Sequence, residues 1–283
     1  MHWTKSRSIL LQSFWESRRA MKEYKAYAKV NIFLKITGTR GNYHEILSRF
    51  MRVDDLFDRL FFISKEESGG KENVFQILGN FSCETKQNTI YKAYVALKKA
   101  TNAESLEKLM QKYAVRVEKN IPAFAGLGGG SSDAATYLKM CNEVLDLGLS
   151  LNELATIGLE VGADVPFFIY AYESANVSGI GEVVEAFDEE RLSFDIYTPD
   201  VAISTPRVYS AYRENFYAPI DGFEAQRLRT ISSKEILETM SAKEANDLFE
   251  PALQEYKELK QYYKQGYFFS GSGSSFFKQK DRA

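Results

Sequence analysis

Cysteine and histidine are nearly missing from this chain: 283 residues hold two of each. Cys83 and Cys141 stand in unrelated contexts, with no CxxC and no Cys/His cluster, which excludes a structural zinc site of the usual spacing. So little cysteine fits a reducing, cytoplasmic setting rather than a disulfide framework. Cys141, among apolar residues at helical spacing, reads as a core residue. A Ser-His-Asp hydrolase would have to rest on His44, and no GxSxG elbow accompanies it. An excess of one charge is lacking too. Lys+Arg number 36 against 38 Asp+Glu, so there is no broad positive field to hold a nucleic-acid backbone, and a small substrate is expected instead. No apolar run approaches the length of a membrane span. No Pro-rich linker and no repeat of solenoid period divides the chain.

What is present is an ordinary globular composition, 45% hydrophobic, which suits one large domain or two modest ones. Residues 1–20 carry Arg7, Arg18 and Arg19 around Ile9-Leu10-Leu11. They have neither an apolar h-region nor a small-residue cleavage site, so they do not read as a secretory signal. Two readings stand: an added N-terminal helix, or residues upstream of a natural start at Met21. Residues 1–24 are taken as an extension of uncertain order.

From Ala26 to Ile36 the chain alternates. Ala26, Ala28, Val30, Ile32, Leu34 and Ile36 share one face; Tyr27, Lys29, Asn31, Phe33 and Lys35 share the other. This period predicts a half-buried strand. Lys29 and Asn31 then point the same way from a rigid element, a good place for a site, although a solvated strand face fits the pattern equally. A turn at 38–42 leads to Tyr43-His44. Residues 60–63 and 74–78 read as strands joined by a polar, Gly-containing hairpin, and 90–99 as a helix. Val115 and Val117 alternate as a strand entering Ile121-Pro122.

The most informative stretch follows. Gly126-Leu127-Gly128-Gly129-Gly130-Ser131-Ser132 precedes a helix whose apolar stripe is Ala134, Ala135, Leu138, Cys141, Val144 and Leu145. Glycines let the backbone pass close to a bulky anion. The first N–H groups of the helix have no intrahelical partner and point outward, so the turn is a ready anion site. It is not a Walker A loop, which needs GK[ST], and not a Rossmann GxGxxG, since position 131 is serine. A purely structural turn is the plainer alternative. A second helix has the capping-box pair Ser150 and Glu153 and a stop at Gly162. Gly162-Ala163-Asp164-Val165-Pro166 is then a tight turn in which Asp164, taken alone, reads as a local backbone cap. Short strands are expected at 183–187, 194–197 and 201–204, a helix from Thr205-Pro206, and a Gly/Ser loop at 270–275 between Phe268-Phe269 and Phe276-Phe277. Any domain boundary falls near residue 170.

Three of these segments together resemble the GHMP kinases, the superfamily of galactokinase, homoserine kinase and mevalonate kinase. Ala28-Lys29-Val30-Asn31 is similar to its first motif. Pro122-Ala123-Phe124-Ala125 with Gly126–Ser132 is similar to the second, and Ser270-Gly271-Ser272-Gly273-Ser274 to the third. Tyr43-His44-Glu45, Gly162–Pro166, Thr205-Pro206 and Asn246-Asp247-Leu248 narrow the likeness to the branch whose substrate is an alcohol bearing a cytidine diphosphate group.

The resemblance implies an α+β, two-lobed fold with the active site in the cleft between lobes. Residues 25–170 would be the N-terminal, ATP-binding domain and 171–283 the C-terminal, substrate-binding domain. ATP would be the phosphoryl donor, its phosphates held by Pro122–Ser132. Mg2+ would come with ATP, with Ser132 the one protein ligand that suggests itself. Asp164 would be the general base, Lys29 would hold it and steady the alkoxide, and Asn31 would contact the substrate. His44 would stack on or hydrogen-bond the cytosine, Tyr43 would line the same pocket, and Thr205 would lie near it. The partner expected is that small molecule, with no nucleic acid and no membrane, on a monomer or weak homodimer. Phosphoryl transfer suits such a set, because it asks mainly for positioning and charge stabilisation. Phe124 stands where the family has a small residue, and the turn before Tyr43 is one residue short. Three rival readings remain: another small-alcohol kinase of this superfamily, a catalytically silent nucleotide-binding regulator on the same fold, and an unrelated binding protein whose glycine turn is structural.

Overall fold

Alternation becomes a strand at the start of the chain, and a longer one than expected. The structure is a computed structural model that describes residues 22–69, 75–101 and 103–280. The choice between an added helix and a start at Met21 therefore lies outside the described residues. Strand β1 (Tyr24–Arg40) turns through Gly41-Asn42 into its partner β2 (Tyr43–Ser64). Gly41 alone of the two turn residues has positive φ, at 60°, as a two-residue hairpin turn with glycine first requires. The short turn is thus a sound one.

Contacts sort the described residues into two compact units, each drawn from separate stretches. One takes the residues up to Ala26, Asp58–Asn120 and Gly130–Val165; the other takes Tyr27–Phe57, Ile121–Gly129 and the chain from Pro166 onward. Helices and sheets mix in both, an α+β arrangement as the sequence indicates.

In the first unit a one-turn helix α1 (Lys65–Ser68) follows β2, and β3 is only Ile77–Leu78. The end of β2 pairs antiparallel with β4 (Tyr113–Glu118), Leu60 facing Val117, and β3 lies parallel to β4. The expected hairpin between 60–63 and 74–78 is therefore corrected: β4 stands between the two strands, and residues 70–74 lie outside the description. Helix α2 (Thr89–Ala100) starts where the Asn88 side chain accepts from the Ile90 N–H at 2.9 Å, a standard N-cap. Helix α3 (Ala103–Lys112) buries Leu106, Leu109 and Met110. Helix α4 (Gly129–Val144) buries far more than its apolar stripe, including Ser132, Asp133, Thr136 and Tyr137. Helix α5 (Leu151–Leu159) has the Ser150–Glu153 capping box, complete in both directions.

In the second unit β5 (Ser174–Gly179) runs antiparallel to Ile46–Met51 of β2, and β6 (Val183–Ala186) to β5. A separate sheet holds β7 (Phe194–Tyr197), β8 (Phe268–Phe269) and β9 (Phe276–Gln279) in the order β7-β9-β8. Helix α6 (Val165–Tyr170) precedes β5, and α7 (Thr205–Asn215), α8 (Gly222–Thr230) and α9 (Ser233–Thr239) come between β7 and β8. Residues 201–204 form no strand; Ser204 instead lends its carbonyl to Arg207 N at 3.0 Å as the start of α7.

Two apolar clusters fill this unit, one around Val30, Phe33, Leu127 and Phe277, the other around Leu34, Val208, Tyr212 and Phe269. Between strand and helices lies a buried guanidinium. Arg49 of β2 is 0% exposed. It donates to the carbonyls of Leu228 and Ile231 at the end of α8 and to Asn176 Oδ1 at 2.7 Å, and it lies 3.4 Å from the centre of the Phe187 ring. Glu189 Oε1 stands 3.5 Å away and also accepts from Ser233 Oγ. A buried cation is tolerable only with such partners, so Arg49 ties α8 and α9 to the strand.

Candidate active site

Strand geometry puts Lys29 and Asn31 on one face of β1, two residues apart. The face is not solvated: Lys29 is 3% exposed and Asn31 1%. The expectation of a half-buried strand fails here because two loops cover it. The Lys29 N–H donates to Leu127 O at 3.0 Å, and the Asn31 N–H donates to Ser270 Oγ at 3.3 Å. The Lys29 ammonium donates to Asn31 Oδ1 at 2.6 Å and to Gly126 O at 3.1 Å, and stands 4.4 Å from the centre of the Phe50 ring. Asn31 Nδ2 donates to Ser48 Oγ at 2.9 Å, and the Ser48 hydroxyl donates to Phe33 O.

The glycine turn is shaped from behind by the third glycine loop. Gly126 has φ 74°, and a Cβ there would lie 2.0 Å from Ser270 O, so this position accepts no side chain. Ser275 N donates to Ala125 O at 3.1 Å and Ser270 Oγ to Gly126 O at 3.0 Å. Asn246 fixes the third loop in turn, its amide donating to Phe269 O at 2.8 Å and Gly271 O at 2.9 Å. Phe124, at the entry, has φ 55° and is 58% exposed. A bulky residue in that region stores strain, which collects at functional sites.

The turn runs into α4 at Gly129, and the first N–H groups of a helix have no intrahelical partner. Within the first unit Thr89 Oγ1 donates to Gly130 O at 2.6 Å. One turn on, Asp133 Oδ2 accepts from Lys119 Nζ at 2.8 Å, and Lys119 also bonds Asp58, so one ammonium serves two buried carboxylates. Burial pushes the Asp133 carboxyl up to about 7; Lys119 opposes the shift and Asp58 adds to it. Asp133 Oδ1 has no hydrogen-bond partner in the structure. Asp164 directly precedes α6 and is half-buried. Ser132 is 1% exposed. Among the described residues no group of three or more His, Cys, Asp or Glu could hold a metal ion, and no helix is long and apolar enough to cross a membrane.

His44 is buried, at 8% exposure, and its Nε2 has no hydrogen-bond partner in the structure. Its ring lies 5.2 Å from Tyr209 at 32° and 5.8 Å from Tyr212 at 79°. Both tyrosines come from α7, which Thr205-Pro206 begins, and Thr205 Oγ1 shares a hydrogen bond of 2.7 Å with Ser272 Oγ of the third loop. Burial, then the nearby charge of Arg213, lowers the pKa of His44 below its usual value. Tyr43 is 66% exposed, and as neighbours on a strand the two side chains leave it in opposite directions.

Lys29, Asn31, the turn from Ala125 to Gly128 and the third loop thus come together in one unit, as do His44 and Thr205 with the tyrosines of α7. Ser48, Tyr209 and Tyr212 escaped the sequence reading, whereas Asn246 and Ser270 stood in the matching strings without a stated role. The tyrosines left a signal in their three-residue spacing behind Thr205-Pro206, whereas Ser48 left none.

Residues 88–172 match the model of the GHMP kinases N terminal domain. The chain is 68% identical over 265 residues to the 4-diphosphocytidyl-2-C-methyl-D-erythritol kinase of Sulfurimonas denitrificans, covering 93% of this chain and 98% of that one. To the enzyme of the same name from Campylobacter jejuni subsp. doylei it is 43% identical, over 90% and 98% of the two chains. Among solved structures it is similar to a crystal structure of 4-(cytidine 5'-diphospho)-2C-methyl-D-erythritol kinase, with a TM-score of 0.66, 29% identity, and coverage of 91% and 90%.

Proposed function

As the chain belongs to the 4-diphosphocytidyl-2-C-methyl-D-erythritol kinases, within the GHMP kinases, we propose that it moves the γ-phosphoryl group of ATP to the 2-hydroxyl of 4-diphosphocytidyl-2-C-methyl-D-erythritol, a step of the non-mevalonate isoprenoid pathway. The observation that carries the substrate reading is His44: a buried imidazole whose pKa burial lowers, flanked by two tyrosines, with an unused ring nitrogen. A cytosine edge supplies the missing donor or acceptor, and a ligand without that edge leaves the nitrogen unpaired.

In this reading the turn Pro122–Ser132 holds the ATP phosphates through backbone N–H groups and the start of α4. Mg2+ would come with ATP to offset the phosphate charge, and Ser132 would be the protein's candidate ligand for it. Lys29 is a preset cation that stabilises the alkoxide as it forms, and Asp164 takes the hydroxyl proton. An Asp is a weak base, which suffices where the transition state is loose and proton removal late. Asn31 and Thr205 line the substrate's path, and Tyr43 would reach the substrate only from the other, exposed face of β2. The same proposal assigns ATP binding to residues 25–170 and the substrate domain to 171–283.

A coupled ADP-release assay with Mg-ATP tests the reading, run with the cytidyl substrate beside homoserine and mevalonate. Turnover with the cytidyl alcohol alone is expected. Turnover with either of the others discards the cytosine pocket, and ATP binding without turnover turns the protein into a regulator. Asp164→Ala should keep ATP binding and lower kcat by about 10²–10⁴-fold; unchanged kcat removes Asp164 as the base.

A further inference from the structure

Lys29 and Asn31 have roles in the proposed reaction. Ser48 has none, yet it is 0% exposed and sits behind Asn31. Its hydroxyl carries one hydrogen, and that hydrogen goes to Phe33 O. Towards Asn31 the Ser48 oxygen is therefore left only as an acceptor. Of the two ends of the Asn31 amide, only the NH2 can meet an acceptor, and Nδ2 stands 2.9 Å from Ser48 Oγ. That choice turns Oδ1 the other way, onto the Lys29 ammonium at 2.6 Å. An ammonium donates and never accepts, so both ends of the chain of bonds demand the same amide orientation. The polarity is fixed from the Phe33 carbonyl to the cation.

We propose that Ser48 is a positioning residue for phosphoryl transfer: by accepting from Asn31 Nδ2 it holds the Asn31 carbonyl on Lys29 and so fixes where the ammonium stands. Without Ser48 Oγ, the amide has no partner at its inner end and is free to rotate. One of its two rotations then sets NH2 against NH3+, and Lys29 swings from its place. Reaction geometry is sensitive to shifts of this size. The inference rests on the reading of Lys29 as the cation that steadies the alkoxide.

The test compares Ser48→Ala and Ser48→Thr with the wild type by steady-state kinetics, thermal melting and the NMR exchange rate of the Asn31 side-chain amide, with asparagine labelled selectively and the signal assigned through Asn31→Asp. Ser48→Ala is expected to lower kcat about tenfold with the KM for ATP within twofold, and to speed Asn31 amide exchange at least tenfold. Ser48→Thr keeps the hydroxyl and is expected to restore both to within about threefold. A lower melting temperature for Ser48→Ala with kcat and amide exchange unchanged overturns the proposal, and so does a Ser48→Thr variant as slow as Ser48→Ala. If the wild type does not turn over the cytidyl substrate, the reaction reading fails, while amide exchange still decides the relay.

Discussion

Two regions of the second unit treat their polar groups in opposite ways. Around Lys29 the bonds are closed before any substrate arrives: ammonium to Asn31 and Gly126, Asn31 to Ser48 and Ser270, the glycine turn to Ser270 and Ser275. At His44 a ring nitrogen is buried and left without a partner, and Tyr43 next to it stands 66% exposed. The difference separates two tasks. Charge stabilisation is worth most when its donors are already in place and need no reorganisation. Selection is sharpest when a buried group stays unpaired until the right ligand supplies its partner.

Breaking the closed region should therefore cost folding and turnover together. Lys29→Ala leaves Asn31 Oδ1 without its ammonium donor and leaves Gly126 O with Ser270 Oγ alone. A fall in kcat on the order of 10²–10³-fold is expected, with a stability loss of about 1–3 kcal/mol, read by single-turnover kinetics and denaturant melts. A full loss of kcat at unchanged stability would show that the closed bonds carry no folding energy. Gly126→Ala puts a methyl group 2.0 Å from Ser270 O at a backbone φ of 74°. It should destabilise by about 2–4 kcal/mol and raise the KM for ATP, since the turn must move. An unchanged melt and KM would mean the third loop does not buttress the second.

The open region should respond in the opposite sense. His44→Ala removes no hydrogen bond from Nε2 and costs only the ring's packing on Tyr209 and Tyr212, so the melt should fall less than for Gly126→Ala. The KM for the cytidyl substrate should rise roughly 10–100-fold while that for ATP stays put. Equal effects on both would take His44 out of the base pocket. The sign with pH follows from burial, which lowers the pKa of His44 from its ordinary 6.5. The stability that its neutral form allows is fully present above the unfolded value and is lost as pH falls through the folded one. Substrate KM should be flat from pH 7 to 8 and rise on the acid side, and His44→Ala should lose that rise.

The site was legible in part. Alternation placed Lys29 and Asn31 on one strand face, and the glycines before α4 marked the turn that leads into that helix. The burial of that face was not legible, because it depends on loops far along the chain. Gly126 must be glycine on account of Ser270, 144 positions away. Most of β2 was missed for a different reason. Ile46, Leu47, Phe50 and Met51 are all buried, and a strand covered on both faces loses its period-two signature. β5 went unread because its sequence, Ser-Ala-Asn-Val-Ser-Gly, has small and polar residues where strands are usually β-branched or aromatic.

Those long separations govern when the protein can begin to work. The Asn31 N–H waits for a hydroxyl 239 positions ahead and Arg49 for a carbonyl 179 positions ahead. During synthesis, with about 5–20 residues added each second, the glycine turn precedes its buttress by on the order of ten seconds. Until Ser270 arrives β1 has no roof, and until Leu228 and Ile231 arrive the Arg49 guanidinium lacks its carbonyl partners. The pairings with the longest loops to close are the slowest to form, and here they are the ones that finish the site. A nascent chain thus has the motifs of a kinase long before it has the enzyme, and translation that stops short of Ser270 yields a chain unable to shape its glycine turn.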